Sequence, residues 1–98
     1  MLFTWDDNKA IANWKKHKVD FRVAAEVFSD VYAVDAWDLG HNEEEHRCCI
    51  IGSTFSFELL FVVYVERITQ DDRDIYRIIS ARPANKKEEK LYERGLSR

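Results

Sequence analysis

The sequence predicts an α+β fold in which a helical hairpin and a C-terminal helix pack on an antiparallel β-sheet. Three observations predict it. Apolar residues recur three and four apart in the first 30 residues, and short apolar or alternating runs separated by polar turns follow them. A helix-start signal then appears near residue 85. A chain of 98 residues can bury one modest core, so we predict a single domain over residues 1–98.

The N-terminal part predicts a short strand followed by two helices. Residues 2–5 are strand-like, and Asp6 or Asp7 can cap a helix over residues 9–17. Asp20 can cap a second amphipathic helix that ends near residues 29–30. In the first helix, the apolar spacing predicts a buried side made of Ala10, Ile11 and Trp14, and another side made of Lys9, Asn13, Lys16 and His17.

Four strands and a helix are predicted after residue 30. The strands cover residues 31–37, 46–51, 57–66 and 74–81, joined by a polar loop over 38–44, a turn near 52–56 and a polar loop over 67–73. Pro83 ends the last strand because it has no amide hydrogen, and Asn85 and Glu88 have the spacing of a capping box. Since the connections are short, we expect an antiparallel meander with the helices on one face.

Composition and charge indicate a globular domain with local basic surfaces. No apolar run reaches membrane length and the N-terminus lacks the features of a signal peptide, so we expect a cytoplasmic protein. The net charge is −3, but residues 77–98 hold seven Lys or Arg against three Glu, and residues 9–18 hold four lysines and no acid. Each block alone is also what a solvated helix face would show, but local charge of this kind can bind a polyanion. Cys48 and Cys49 are adjacent in a strand and point to opposite faces, which predicts reduced thiols.

One segment combines arginines at a strand end with the start of a helix. It runs from Tyr76 to Tyr92 and suits a phosphate. Together with the rest of the chain, it resembles the BrnT toxins. The residues that carry the resemblance are Trp5, Asp6, Lys9, Asn13, Lys16, His17, Phe21, Ala24, Ala25, Val27, Phe28, Asp30, Glu45, Arg47, Ile51, Gly52, Val63, Tyr64, Glu66, Arg67, Arg77, Ile78, Ile79, Ser80, Ala81, Arg82, Ala84, Glu88 and Tyr92.

The resemblance implies a RelE-like fold and an endoribonuclease toxin of a type II toxin–antitoxin system. It also implies neutralisation by a BrnA-type antitoxin that represses a shared operon, so DNA is expected to be contacted only through the antitoxin. RNA is then the substrate, no cofactor and no membrane are expected, and a homodimer stays open.

Three departures from the family leave an alternative open. Lys18 stands where the family commonly has Gly, the loop with Asp71 and Asp72 is acidic, and lysines 86, 87 and 90 alternate with glutamates where family members have more arginines. The alternative function is therefore an inactive, antitoxin-binding subunit of a repressor complex. An unrelated interaction domain is the third hypothesis.

RNA supplies its own nucleophile, the 2′-OH, so a ribonuclease needs to align it, move protons and stabilise the phosphorane without a metal. Arg67, Arg77 and Arg82 are the predicted phosphate clamp, because guanidinium binds phosphate in a bidentate manner. Strand alternation places Arg77 and Arg82 on opposite faces. The other interpretation of Arg77 is an ion pair with Glu66 across the sheet.

The remaining candidates each have a structural alternative. His17 can act as general base or acid, or can pack on the core at a helix end. The resemblance suggests that Tyr92 stacks on a base or assists proton transfer, and core packing would equally explain it. Glu66 is the predicted carboxylate of the site. The predicted phosphate-binding lysines are Lys9, Lys16 and Lys86, for which a solvated side chain is the alternative. The histidines and acids of residues 38–46 match no ligand spacing, so we predict no metal site.

Overall fold

The computed structural model describes residues 2–36 and 47–96, which form five strands and three helices. In chain order the elements are β1 Leu2–Thr4, α1 Asp7–His17, α2 Phe21–Ala24 with a 3₁₀ continuation Ala25–Ser29, β2 Val34–Asp35, β3 Arg47–Ser53, β4 Leu59–Ile68, β5 Asp74–Pro83 and α3 Lys86–Leu96. The predicted loop over residues 38–44 lies outside the described residues, as do Trp37 and His46. None of the described helices has the length and apolar character needed to cross a membrane.

The strands form one sheet in the order β1-β5-β4-β3-β2. The pairs β2–β3, β3–β4 and β4–β5 are antiparallel, which confirms the predicted meander. The edge strand β1 instead runs parallel to β5, with Leu2 opposite Ile75, so the expectation of a wholly antiparallel sheet is wrong at this edge. No tight turn joins these two strands, and therefore no hairpin imposes an antiparallel direction.

Helices cover both faces of the sheet, whereas the sequence predicted helices on one face. The first face packs against α2, and its cluster contains Phe21, Ala24, Val27, Ile50, Leu60, Val62 and Ile78. The second face packs against α3, and its cluster contains Cys49, Ile51, Phe61, Leu91 and Tyr92. Coverage of both faces explains why the predicted central strand, β4, is apolar at successive positions. We call these the α2 face and the α3 face.

Helix ends follow the local signals of the sequence. The Asp6 carboxylate accepts a hydrogen bond from the Lys9 amide at 3.1 Å and caps α1, and Asp20 caps α2 through the Arg22 amide at 2.8 Å. Lys18 ends α1 in the left-handed conformation at φ 57°, which a glycine would adopt without steric cost. The capping box of α3 is confirmed in both directions, with two hydrogen bonds of 2.9 Å between Asn85 and Glu88.

Several element boundaries differ from the prediction. Strand β2 is only Val34–Asp35, because residues 31–32 form a turn whose Tyr32 amide donates to Asp30. The turn lies at residues 55–56, in the later part of the predicted 52–56, since β3 continues to Ser53. Strand β4 accordingly starts and ends two residues later than predicted. Cys48 and Cys49 are not joined by a disulfide bond.

Candidate RNA-binding site

The position of α1 beside the sheet is set by Asn13, which the sequence placed on the polar side of the helix. Asn13 is buried, whereas Ile11 and Trp14 of the predicted buried side are more than half exposed. Its side-chain amide donates to the carbonyls of Val19 at 3.0 Å and Ala81 at 2.9 Å, and its Oδ1 accepts from the Ala81 amide at 3.0 Å. One side chain thus pairs with both backbone groups of β5 at this point, as a neighbouring strand would, and fixes α1 along the strand.

This placement brings one side of α1 to a pocket of about 320 Å³. Its lining combines the first helix with β3 and with the middle of β5. The lining residues are Lys9, Ala12, Asn13, Lys16, His17, Arg47, Ile79 and Ser80. The pocket therefore gathers two lysines, one arginine and one histidine, and no acidic residue is among the described residues that line it. Such a group attracts an anion.

Two more predicted arginines lie on the sheet face that carries Arg47. The Cα of Val65 is paired with Arg47 on one side and with Arg77 on the other, so the three side chains share the α3 face. Two strand spacings place the Cα atoms of Arg47 and Arg77 about 10 Å apart. Arg67 follows Val65 by two positions on β4 and projects from the same face. We call the residues Lys9, Lys16, His17, Arg47, Arg67 and Arg77 the basic face.

A β-bulge overturns the prediction that Arg77 and Arg82 lie on opposite faces. Val63 pairs with Ser80 but Tyr64 pairs with Ile78, so Ile79 is an extra residue in β5. The extra residue reverses the alternation once and returns Arg82 to the face of Arg77. The same register separates Arg77 from Glu66, whose Cα partner is Tyr76, so the alternative ion pair between Arg77 and Glu66 is also wrong.

Arg82 is nevertheless engaged by a carboxylate. Its two terminal nitrogens donate to the two oxygens of Glu88, each at 2.8 Å, and the guanidinium lies 4.4 Å from the ring centre of Phe61. The Glu88 side chain is 3% exposed and that of Arg82 is 34% exposed. A bidentate pair of this kind is a strong interaction, and it ties the end of β5 to the first turn of α3. Its geometry accounts for Arg82 without a bound phosphate.

The other three predicted residues lie away from the pocket. Glu66 belongs to the α2 face by its register with Tyr76. Burial first, and the Glu66 carboxylate second, raise the pKa of the Tyr76 hydroxyl. The Tyr92 hydroxyl donates to Asp30 at 2.7 Å; burial first, and this hydrogen bond second, raise its pKa to about 12. Lys86 begins α3 and is exposed. None of the three lines the pocket of Lys16 and Arg47.

Sequence reasoning did not place Arg47 among the site residues. Arg47 belongs to the family resemblance alone, because the start of β3 gives no local sign of which residues lie across the sheet. The register of β3 on β4, which pairs Arg47 with Val65, is the signal that identifies Arg47 as a site residue. Ser80 was missed for the same reason, since the bulge decides its orientation.

Comparison with known proteins decides the family. The model of the family described as "Ribonuclease toxin, BrnT, of type II toxin-antitoxin system" matches residues 5–88. The chain belongs to the BrnT family. The matched range includes all six residues of the basic face, and it ends before Tyr92. The resemblance found in the sequence is therefore confirmed.

A solved BrnT structure supports the fold. The crystal structure of the Brucella abortus ribonuclease toxin BrnT has a TM-score of 0.61 and 20% sequence identity, over 88% of this chain and 100% of that chain. At this identity the likeness establishes the fold, which confirms the α+β class. No curated protein matches the chain. Membership of this BrnT family implies RNA as substrate and an antitoxin as partner.

Proposed function

We propose that the chain is a cytoplasmic endoribonuclease that cleaves RNA by attack of the 2′-OH, without a metal ion, and is neutralised by a BrnA-type antitoxin. The observation that supports this most directly is the pocket in which Lys9, Lys16, His17 and Arg47 meet. A pocket with several cations and no acid among its described lining residues suits the scissile phosphate, whose negative charge increases as the phosphorane forms.

The proposed role of each cation follows from its position in the fold. Lys16 and Arg47 reach the pocket from α1 and β3, so together they can hold a phosphate from two directions. Arg77 and Arg67 extend positive charge along the α3 face and can hold the phosphates of adjacent nucleotides. A positively charged track of this kind, beside a pocket, is the arrangement with which proteins hold a single RNA strand.

His17 is the residue of the pocket best suited to proton transfer. Histidine changes its charge near neutral pH and can remove the 2′-OH proton or protonate the leaving 5′ oxygen. The Lys16 and Arg47 charges beside it favour the oxyanion of the phosphorane. In the proposed reaction the 2′ oxygen forms a bond to phosphorus, the 5′ oxygen leaves with a proton, and a 2′,3′-cyclic phosphate remains on the 3′ end of the upstream fragment.

Four of the sequence-based candidates receive no direct part in this mechanism. Arg82 is bound by Glu88 and positions α3 against β5. Tyr92 is hydrogen-bonded to Asp30, and its raised pKa makes it a poorer proton donor than an ordinary tyrosine. Glu66 lies on the α2 face. For Lys86, we expect at most a distant contact with RNA.

The test is cleavage of a single-stranded RNA by the purified chain, with and without EDTA, compared with two lysine variants. Lys16 lines the basic pocket, whereas the adjacent Lys15 lines a different, apolar one with Ile11 and Trp14. We expect Lys16→Ala to lower kcat/KM about 10²–10³-fold, as loss of one transition-state donor does. Lys15→Ala, with the same change of charge, should stay within about threefold of the parent because it loses only long-range attraction.

Different outcomes separate the hypotheses. Cleavage that EDTA abolishes would contradict the metal-free mechanism. Equal losses in the two lysine variants would show that the pocket has no special part in catalysis. If the parent chain cleaves no RNA but binds its antitoxin, the inactive, antitoxin-binding subunit becomes the function.

A further inference from the structure

A second surface of the molecule combines exposed aromatic side chains with acidic charge. Val31, Tyr32, Phe55 and Phe57 are 87%, 57%, 71% and 89% exposed. They line one groove of about 460 Å³ between the end of the 3₁₀ helix and the β3–β4 turn. We call these four residues the aromatic tip. The groove shares no lining residue with the basic pocket, and an apolar cluster of this kind on a surface indicates a binding site.

Hydrogen bonds from the backbone to two carboxylates fix the segments that carry the aromatic tip. Asp30 accepts hydrogen bonds from the Tyr32 amide at 2.9 Å, the Ser53 amide at 2.8 Å and the Tyr92 hydroxyl. The Phe55 amide donates to Glu26 at 2.9 Å, which ties the β3–β4 turn to the 3₁₀ helix. The exposed rings therefore project from an ordered frame. Such a frame lowers the entropy lost when a partner binds.

The backbone conformation of Phe57 is further evidence that the aromatic tip has a function other than folding. It closes the β3–β4 turn at φ 66°, a left-handed conformation that suits glycine and strains a residue with a bulky side chain. Because the ring is almost fully exposed, it gives little packing energy in return. Backbone strain that the fold does not need is a common mark of a functional site.

Charge indicates the chemistry of the partner. Glu26 and Asp30 line the groove, Glu58 is exposed beside Phe57, and no lysine or arginine is among the described residues that line it. Burial raises the pKa of Asp30, but its hydrogen bonds outweigh burial and hold the pKa below its usual value, so the carboxylate is charged at neutral pH. A nucleic acid would be repelled here. A protein segment with apolar side chains and basic residues is complementary in both respects.

We propose that the aromatic tip is a docking site for the antitoxin, which inserts apolar side chains between the rings and places at least one lysine or arginine against Glu26 and Asp30. The proposal uses the antitoxin partner that family membership implies, and it does not depend on whether the chain cleaves RNA. Because the tip and the basic pocket share no residue, an antitoxin anchored at the tip would need a further segment to cover the pocket.

The test measures binding of the purified cognate antitoxin, taken from the operon of the toxin, by calorimetry. The variants are Phe55→Ser and Phe57→Gly. The control is Ile68→Ser, which removes an apolar side chain about as exposed as Phe55 (69% against 71%) from the end of β4. We expect each tip variant to raise Kd at least tenfold and the control to change it less than twofold. Phe57→Gly should also raise the Tm, since glycine accepts the left-handed φ. Weaker binding by a more stable protein cannot be attributed to misfolding.

Two results would overturn the proposal. One is an unchanged Kd in both tip variants. The other is a parent chain that is a dimer by light scattering and becomes a monomer in the tip variants, which would assign the surface to a second copy of this chain. RNA cleavage by the same variants should equal that of the parent, so failure of the docking proposal and failure of the proposed nuclease activity are separate observations.

Discussion

Asp30 joins three parts of the chain through hydrogen bonds. It accepts from Tyr32 in the turn before β2, from Ser53 at the end of β3 and from Tyr92 on α3. These bonds favour the ionised carboxylate and hold its pKa below the usual value despite burial. A group with a lowered folded pKa stabilises the fold above its unfolded pKa, and that contribution is lost as the pH falls through the folded pKa.

We therefore predict a pH-dependent effect of Tyr92→Phe. At pH 7 the variant should lose about 1–2 kcal/mol of unfolding free energy, the usual cost of a hydrogen bond to a charged acceptor that is partly exposed. The deficit should shrink in acid, once Asp30 is protonated in both proteins. Urea unfolding of both proteins at several pH values measures this. A deficit of equal size across the range would show that the hydroxyl contributes by packing alone.

Some residue-level features of the fold and site are readable from sequence and others are not. Asp6, Asp20 and the Asn85–Glu88 pair were predictable because a cap depends on residues within three positions. The burial of Asn13 could not be predicted, since its hydrogen-bond partner Ala81 lies far away along the chain. The bulge at Ile79 gives no local signal either, yet it decides which arginines share a face.

At the scale of elements, close contact between the 3₁₀ helix and β3 depends on Gly52. A Cβ atom at this position would lie 2.9 Å from Val27 Cβ and 3.0 Å from the Val27 carbonyl oxygen. The second of these is backbone, so the helix would have to move. Gly95 differs, because there a Cβ would meet only the end of the Val34 side chain, at 3.2 Å.

We predict opposite outcomes for the same substitution at these two glycines. Gly52→Ala should lower the unfolding free energy by about 1–3 kcal/mol through overpacking. Gly95→Ala lies in α3, where alanine favours the helix by up to about 1 kcal/mol, so it should be neutral or stabilising. Thermal unfolding of the two variants provides the comparison. A Gly52→Ala protein as stable as the parent would contradict the close approach.

Sequence also predicted the type of nearly every element, but not how two of them assemble. Amphipathic spacing and β-branched runs specify helices and strands locally. The parallel pairing of β1 with β5, and the packing of α3 on the sheet face opposite to α2, depend on long-range contacts. The local sequence pattern does not specify such contacts. The sequence therefore identifies the arginines as site candidates, but it does not show which residues surround them.

At the scale of the whole molecule, charge is divided between two surfaces. The net charge is −3, but the basic face gathers cations from α1, β3, β4 and β5, while Glu26 and Asp30 lie at the aromatic tip. The proposed RNA site and the proposed antitoxin site therefore lie on surfaces of opposite charge, although the total charge is acidic. RNA affinity should fall as salt rises, because binding to phosphates releases counterions.

In the proposed mechanism, Lys16 of α1 and Arg47 of β3 act on the same phosphate. A double-mutant cycle of RNA cleavage, with Lys16→Ala, Arg47→Gln and the combined variant, tests it most directly. Arg82→Ala is a poorer probe, because it leaves the buried Glu88 carboxylate without its cationic partner and should cost about 2–3 kcal/mol of stability. If the two cations share one phosphate, their effects on kcat/KM should deviate from additivity by about 0.5–3 kcal/mol. Fully additive losses, or no loss in either single variant, would contradict the shared site.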